Sequence, residues 1–148
     1  MDAGFFYREA AVQGASPVQL VICLYEQAME DIRRAILAME RREIEERTRL
    51  VNHALKVLGQ LQGTLNMQQG GAVAANLQRF YNGVRTCLIE AHHQQSSPML
   101  QRQLAQLATV HEAWLEVERA SSASIPVHEA RPLAEKPAPE IRLSDWNA

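Results

Sequence analysis

The sequence predicts an all-α protein, an antiparallel four-helix bundle, and three observations lead to this fold class. Ala, Leu, Gln, Glu and Arg dominate the 148 residues, and all five are strong helix formers. Apolar residues recur every three to four positions over four long stretches, whereas the alternation typical of strands is hard to find. Most of the six prolines lie in the last quarter of the chain, and the turns before it are short. Short turns favour antiparallel neighbours in a bundle, and the length fits one domain.

The first predicted helix has a well-defined start. Ser16 is a preferred N-cap, Pro17 suits the first helical position, and Gln19 completes a capping box. The apolar stripe of this helix is expected to face the core through Val21, Tyr25, Ala28, Ile32, Ala35, Ile36 and Met39.

The second and third helices are placed by a change of phase and by a glycine pair. After Met39 the next apolar residue is Ile44, a step that rotates the stripe by about 140°. This rotation predicts a tight turn near residues 40–44. Gly70-Gly71 is expected to supply a left-handed residue that ends the second helix and lets the third begin at once. The third helix is expected to carry the stripe Val73, Leu77, Phe80, Tyr81, Val84, Cys87, Leu88 and Ala91.

The fourth helix is expected to begin with Ser97 as N-cap and Pro98 as its first residue, and to continue to Arg119. Prolines and serines then become frequent, and we predict a disordered Pro-rich tail over 120–148. A short apolar stretch near its end, EIRLSDW, is either a docking peptide or disordered, and we favour the second. The predicted divisions are a flexible aromatic N-terminal segment (1–15), a helical bundle (16–119) and the tail (120–148).

Composition excludes several functional classes. The net charge is −2 and acidic residues flank the basic pairs, which argues against nucleic-acid binding. No apolar run approaches the roughly 20 residues that span a bilayer, and the N-terminus lacks the order of a signal peptide. We therefore expect a cytoplasmic protein without membrane insertion. Cys23 and Cys87 fall in apolar helical stretches and are expected to be buried, reduced thiols.

No catalytic or metal-binding constellation is recognisable. Glu90 and His93 have the Glu-x-x-His spacing of di-iron bundles, but no second such motif exists, so a degenerate metal-binding bundle is the weakest hypothesis. Cys23 lies between Ile22 and Leu24, an apolar setting that disfavours a thiolate nucleophile. The sequence predicts a binding protein, not an enzyme, with no cofactor.

The first helix carries more apolar residues than one stripe can bury. Leu20 to Tyr25 are six consecutive apolar residues, which cover every side of a helix. Leu20, Ile22 and Leu24 are expected on its flanks, although packing against neighbouring helices would also account for them. Val57 in the second helix and the small residues 72–75 in the third add to this surplus. We expect it to form a groove for a partner helix.

Aromatic residues are concentrated before the first helix. Phe5, Phe6 and Tyr7 precede it with a short spacer, and burying one such ring is worth roughly 1.5–3 kcal/mol. A loose segment lying over the groove would satisfy both surfaces, and a partner that fits better would displace it.

Two motifs in this order resemble the flagellar secretion chaperone family. They are ASPVQLV..LYE.A from Ala15 and GG.VA.NL..FY from Gly70, preceded by Tyr7 and followed by a helix ending near Trp114. The resemblance covers about residues 5–118. It implies a cytoplasmic, antiparallel helical bundle that binds the disordered C-terminal segment of flagellin, prevents premature polymerisation and delivers flagellin to the export apparatus. The alternative is a helical adaptor or regulatory protein for another amphipathic segment.

The resemblance and the surplus surface together give a set of candidate site residues. The candidate partner-binding residues are Phe6, Tyr7, Leu20, Leu24, Val57, Leu61, Val73, Ala74, Leu77 and Tyr81. The matching signature residues are Ser16, Pro17, Gly70, Gly71 and Asn76, which have structural explanations as cap, turn and hydrogen-bonding residue. Asn66 replaces the usual Asp before the glycine pair, and the turn near 40–44 lacks the customary breaker. We expect a monomer or weak homodimer.

Overall fold

The computed structural model describes the backbone of residues 16–130 and the side chains of residues 16–122. This part of the chain forms four α-helices and contains no strand: α1 Pro17–Glu40, α2 Ile44–Gly63, α3 Met67–Gln94 and α4 Ser97–Ala130. The predicted all-α fold class is therefore confirmed. The predicted N-terminal segment lies outside the described residues.

The helices form a ring in which each packs extensively against two neighbours. α1 packs against α2 and α4, and α3 packs against the same two helices, with α1 making the more extensive contacts. Gln19 of α1 bonds Glu118 of α4, and Glu26 bonds His111, so residue numbers rise in one helix as they fall in the other. This pattern shows that α1 and α4 run antiparallel, as expected for a bundle with short turns.

The ends of α1 agree with the sequence prediction. The Ser16 hydroxyl accepts the Gln19 backbone N–H at 3.1 Å, and the Gln19 side chain accepts the Ser16 N–H at 2.9 Å, which completes the capping box. At the other end Arg42 adopts a left-handed φ of 60°, and the Glu43 N–H bonds the Ala38 carbonyl at 2.8 Å. This Schellman motif ends α1 inside the predicted turn without a glycine.

The boundary between α2 and α3 lies earlier than predicted. α2 ends at Gly63, not at Gly70, because Asn66 is an N-cap whose Oδ1 accepts the backbone N–H groups of Gln68 and Gln69. A first turn of α3 therefore precedes the glycine pair. Gly71 has the predicted left-handed φ, at 55° with ψ −132°, and this non-helical residue forms a kink that divides the first turn of α3 from the long helical stretch that follows, as the sequence predicts.

The start and end of α4 also differ from the prediction. Ser96, not Ser97, is the capping residue, because its Oγ accepts the Met99 N–H at 3.2 Å while Ser97 is the first helical residue. The helix does not stop at Arg119 but continues to Ala130, with Pro126 inside it. The residues just after Arg119 are Ala and Ser, which weaken a helix without ending it. The rest of the predicted tail, 131–148, lies outside the described residues.

The core is apolar and lies along the axis between the four helices. Its largest fully buried side chains are Tyr25, Tyr81, Leu24, Ile32, Leu50, Leu58, Leu61, Leu88, Leu100, Leu107 and Val21. Cys23 and Cys87 are free thiols, as predicted, but both are only partly buried. Within residues 16–130, none of the helices combines the length and apolar character that a bilayer crossing requires.

Candidate partner-binding surface

The flanks of α1 are closed at Ile22 and Leu24, which corrects the sequence prediction for these two residues. Leu24 is fully buried and Ile22 is 6 % exposed, because α2 covers one side of α1 and α4 covers the other. A helix with neighbours on both sides can be apolar nearly all round. The six consecutive apolar residues therefore belong largely to the bundle's own core.

Four of the other candidate partner-binding residues are also in the core. Val57, Leu61, Ala74 and Tyr81 have no exposed surface. Their burial removes them from the accessible surface of the described structure. Phe6 and Tyr7 lie outside the described residues.

Three candidates remain on the surface as half-buried side chains, namely Leu20, Val73 and Leu77. Val73 and Leu77 are one helical turn apart on α3. Phe80, which the apolar pattern predicts in the core, continues the same side of the helix and is also half-buried. We call Val73, Leu77 and Phe80 the α3 strip. It packs against the core on one side and reaches solvent on the other.

α3 is the least embedded of the first three helices, which explains why the strip is accessible. Only five of its 28 residues are buried, whereas 11 of the 24 residues of α1 are buried. The half-buried Val110 of α4 lies on the neighbouring helix. An apolar surface that the bundle covers incompletely is thus found on α3.

The glycine kink lies directly before the strip. Gly71 adopts backbone angles that residues with a Cβ rarely reach. A Cβ added at this position would meet no neighbouring side chain or backbone within 4 Å. The requirement for glycine is therefore conformational and not a matter of space. Asn76, another signature residue, is exposed, and its Oδ1 accepts a hydrogen bond from Arg79 one turn later.

A buried aromatic cluster holds α3 in place behind the strip. Tyr25 of α1 donates its hydroxyl hydrogen to the hydroxyl of Tyr81 at 3.0 Å, and the two rings meet edge to face with centroids 6.0 Å apart. Trp114 of α4 is hydrogen-bonded to Tyr25. Burial raises the pKa of Tyr25 to about 12 and raises that of Tyr81 as well, so both phenols stay protonated.

A polar cluster that the sequence reasoning did not find joins α1 to α2. The Asp31 carboxylate is buried, accepts a hydrogen bond from Gln27 at 3.0 Å and lies 2.6 Å from Nδ1 of His53. Burial raises the pKa of Asp31, and the bonds from His53 and Gln27 partly offset that rise. An acidic residue in the middle of an apolar stripe was the available indication. Its partner on another helix could not be read from one sequence.

The described residues give no support to catalytic or metal chemistry. Residues 16–122 contain no cluster of three or more His, Cys, Asp or Glu side chains arranged to hold a metal ion. Burial raises the pKa of Cys23, and Glu26 and Glu118 raise it further, so this thiol is not activated as a thiolate.

Comparison with known proteins decides the family. The family model described as "Flagellar protein FliS" matches residues 3–121, which include all of α1, α2 and α3 and most of α4. The chain belongs to the FliS family. The predicted resemblance to flagellar secretion chaperones is thereby confirmed.

Individual FliS relatives are similar over most of their length. The flagellar secretion chaperone FliSB of Pseudomonas aeruginosa is 33 % identical over 106 residues, which cover 72 % of this chain and 84 % of the relative. The flagellar secretion chaperone FliS of Salmonella typhimurium is 26 % identical over 115 residues, or 77 % of this chain and 85 % of the relative. FliS proteins are chaperones and not enzymes, as the sequence analysis predicted for this chain.

Proposed function

We propose that this FliS-family protein is a cytoplasmic export chaperone that binds the disordered C-terminal segment of flagellin. Bound in this way, the segment is kept from premature polymerisation until flagellin reaches the export apparatus. Family membership supports the chaperone role, and relatives named flagellar secretion chaperones support the link to secretion. The observation that carries the proposal is the α3 strip, an apolar line that the bundle itself covers only in part.

The spacing of the strip fits a helical ligand. Val73, Leu77 and Phe80 lie at positions i, i+4 and i+7 of α3, the pattern by which an amphipathic helix presents one face to another. A disordered segment that folds on such a surface gives up roughly 2–5 kcal/mol of its interaction energy to become ordered. Binding can therefore be specific and still weak enough for release.

The aromatic N-terminal segment belongs to the same proposal. Phe6 and Tyr7 lie outside the described residues, and we propose that they cover the strip in the free protein and are displaced by flagellin. Leu20, half-buried near the start of α1, is proposed as an additional contact. Leu24, Val57, Leu61, Ala74 and Tyr81 are buried, so we propose that they support the surface from behind.

Isothermal titration calorimetry with flagellin tests the proposal. We expect a one-to-one complex with full-length flagellin and loss of binding when its C-terminal segment is deleted. Flagellin shortened by the same length at its N-terminus is the matched control and should still bind. Equal affinity for all three proteins, or no binding to any of them, would contradict the proposal and favour an adaptor for another partner.

A further inference from the structure

A buried arginine of α2 reaches a histidine near the end of α3. Arg47 is 7 % exposed, and its Nε–H donates to Nδ1 of His92 at 3.2 Å. The guanidinium group always carries its hydrogens, so Nδ1 of His92 must act as the acceptor. The contact therefore requires a neutral His92 ring with its proton on Nε2.

We propose that the contact between Arg47 and His92 is an acid-sensitive latch that holds the C-terminal turns of α3 against α2. Protonation of His92 places a hydrogen on Nδ1, facing the Nε–H of Arg47, and puts two positive charges side by side. The hydrogen bond is then lost and replaced by repulsion. The C-terminal part of α3, which ends at Gln94 two residues after His92, separates from α2.

The surroundings of His92 all favour its neutral form except the helix terminus. Burial lowers the pKa of His92, and the charges of Arg47 on α2 and His93 on α3 lower it further. No charged group of α4, the other helix packed on α3, acts on the ring among the described residues. The C-terminus of a helix favours a protonated histidine, whereas burial and the charge of Arg47 favour the neutral form.

Two other histidines that connect helices face a carboxylate and not a guanidinium group. His53 of α2 faces Asp31 of α1, and His111 of α4 lies 3.1 Å from Glu26 of α1. Protonation strengthens a contact with a carboxylate and weakens a contact with a guanidinium. Of these three histidine contacts between helices, that of His92 is the one in which both partners are basic. This inference does not depend on the proposed flagellin binding.

Equilibrium urea unfolding across a pH series tests the latch. Because the folded-state pKa of His92 is lowered from 6.5, the unfolded chain binds more protons at acid pH, and stability is lost as pH falls below about 6.5. The unfolding constant of the wild type should rise by up to about tenfold per pH unit relative to that of His92→Gln, whose amide accepts from Arg47 and does not titrate. His93→Gln keeps His92 but removes one of the two charges that lower its pKa, so its pH dependence should lie between those of the wild type and His92→Gln.

Titration of the His92 ring by NMR provides a second, local readout in the wild-type protein. We expect the Nε2–H tautomer and a pKa below 6.5, which Arg47→Gln should raise because it removes the facing charge. Hydrogen-exchange protection, corrected for intrinsic rates, should fall in residues 88–94 on acidification and be retained in the middle of α1. A His92 pKa at or above 6.5, or the same pH dependence in His92→Gln and the wild type, would overturn the proposal.

Discussion

Tyr25 and Tyr81 bring two phenol groups into the middle of the bundle, where each needs a hydrogen-bond partner. The Tyr25 hydroxyl donates to Tyr81 and is bonded by Trp114, so one residue links α1 to both α3 and α4. A buried hydroxyl without a partner costs about 1–3 kcal/mol. The cluster therefore favours the arrangement that brings α3 and α4 next to Tyr25 of α1, and its rings also fill part of the core.

Replacing each tyrosine by phenylalanine should have unequal effects. Tyr81→Phe removes one hydrogen bond and is expected to lower the free energy of unfolding by about 0.5–1.5 kcal/mol. Tyr25→Phe removes two and should cost more, while the double variant should cost less than the sum because it leaves no phenol of the pair unpaired. Urea unfolding of the four proteins measures the cycle. Equal costs for the two single variants, with simple additivity, would contradict the assigned bonds.

The kink in α3 changes the direction of the first helical turn relative to the rest of the helix. Gly71 combines φ 55° with ψ −132°, and a Cβ at this position would have no neighbour within 4 Å. The cost of a side chain at this position is therefore backbone strain alone. A second glycine of α3, Gly83, is exposed, has equal space and lies in regular helix.

Alanine at these two positions should have opposite effects. Gly71→Ala is expected to lower the free energy of unfolding by about 1–3 kcal/mol, because its backbone angles are strained for any residue with a Cβ. Gly83→Ala should raise it by about 0.5–1 kcal/mol, since alanine loses less conformational entropy in a helix. Thermal and urea unfolding measure both. A neutral or stabilising Gly71→Ala would show that the kink is not required.

The accuracy of each predicted element boundary depends on how local its determinants are. The start of α1 is predictable because Ser16, Pro17 and Gln19 act within one turn. The predicted end of α2 is too late because Asn66 caps a short helical turn before the glycine pair, whereas the predicted left-handed residue at that pair is present as Gly71. The predicted end of α4 is too early because the Ala and Ser residues after Arg119 do not end a helix, and α4 continues past Pro126 to Ala130.

For the whole molecule, the number of neighbours of each helix decides which apolar residues are available to a partner. Leu24 and Val57 are surplus to one stripe in the sequence, yet both are fully buried. Val73 and Leu77 are predicted among the apolar surface candidates, and they remain half-buried because α3 is less embedded than α1. Periodicity gives the direction of a side chain along its own helix. It does not give the position of the helix within the bundle.

The central claim is that the α3 strip is where the proposed flagellin segment binds. Leu77 on the strip and Leu37 on α1, which is 47 % exposed, permit the same substitution on two different helices. Truncating Leu77 to alanine removes apolar area that flagellin would bury on binding. The expected loss of binding free energy is about 1 kcal/mol, which corresponds to roughly fivefold weaker affinity.

Calorimetric titration of flagellin into Leu77→Ala, Leu37→Ala and the wild type tests this claim most directly, with circular dichroism confirming equal helicity. Leu77→Ala should bind flagellin at least about fivefold more weakly than the wild type, whereas Leu37→Ala should bind with unchanged affinity. Equal affinity of all three proteins, or weakening by Leu37→Ala alone, would contradict the assignment of the α3 strip.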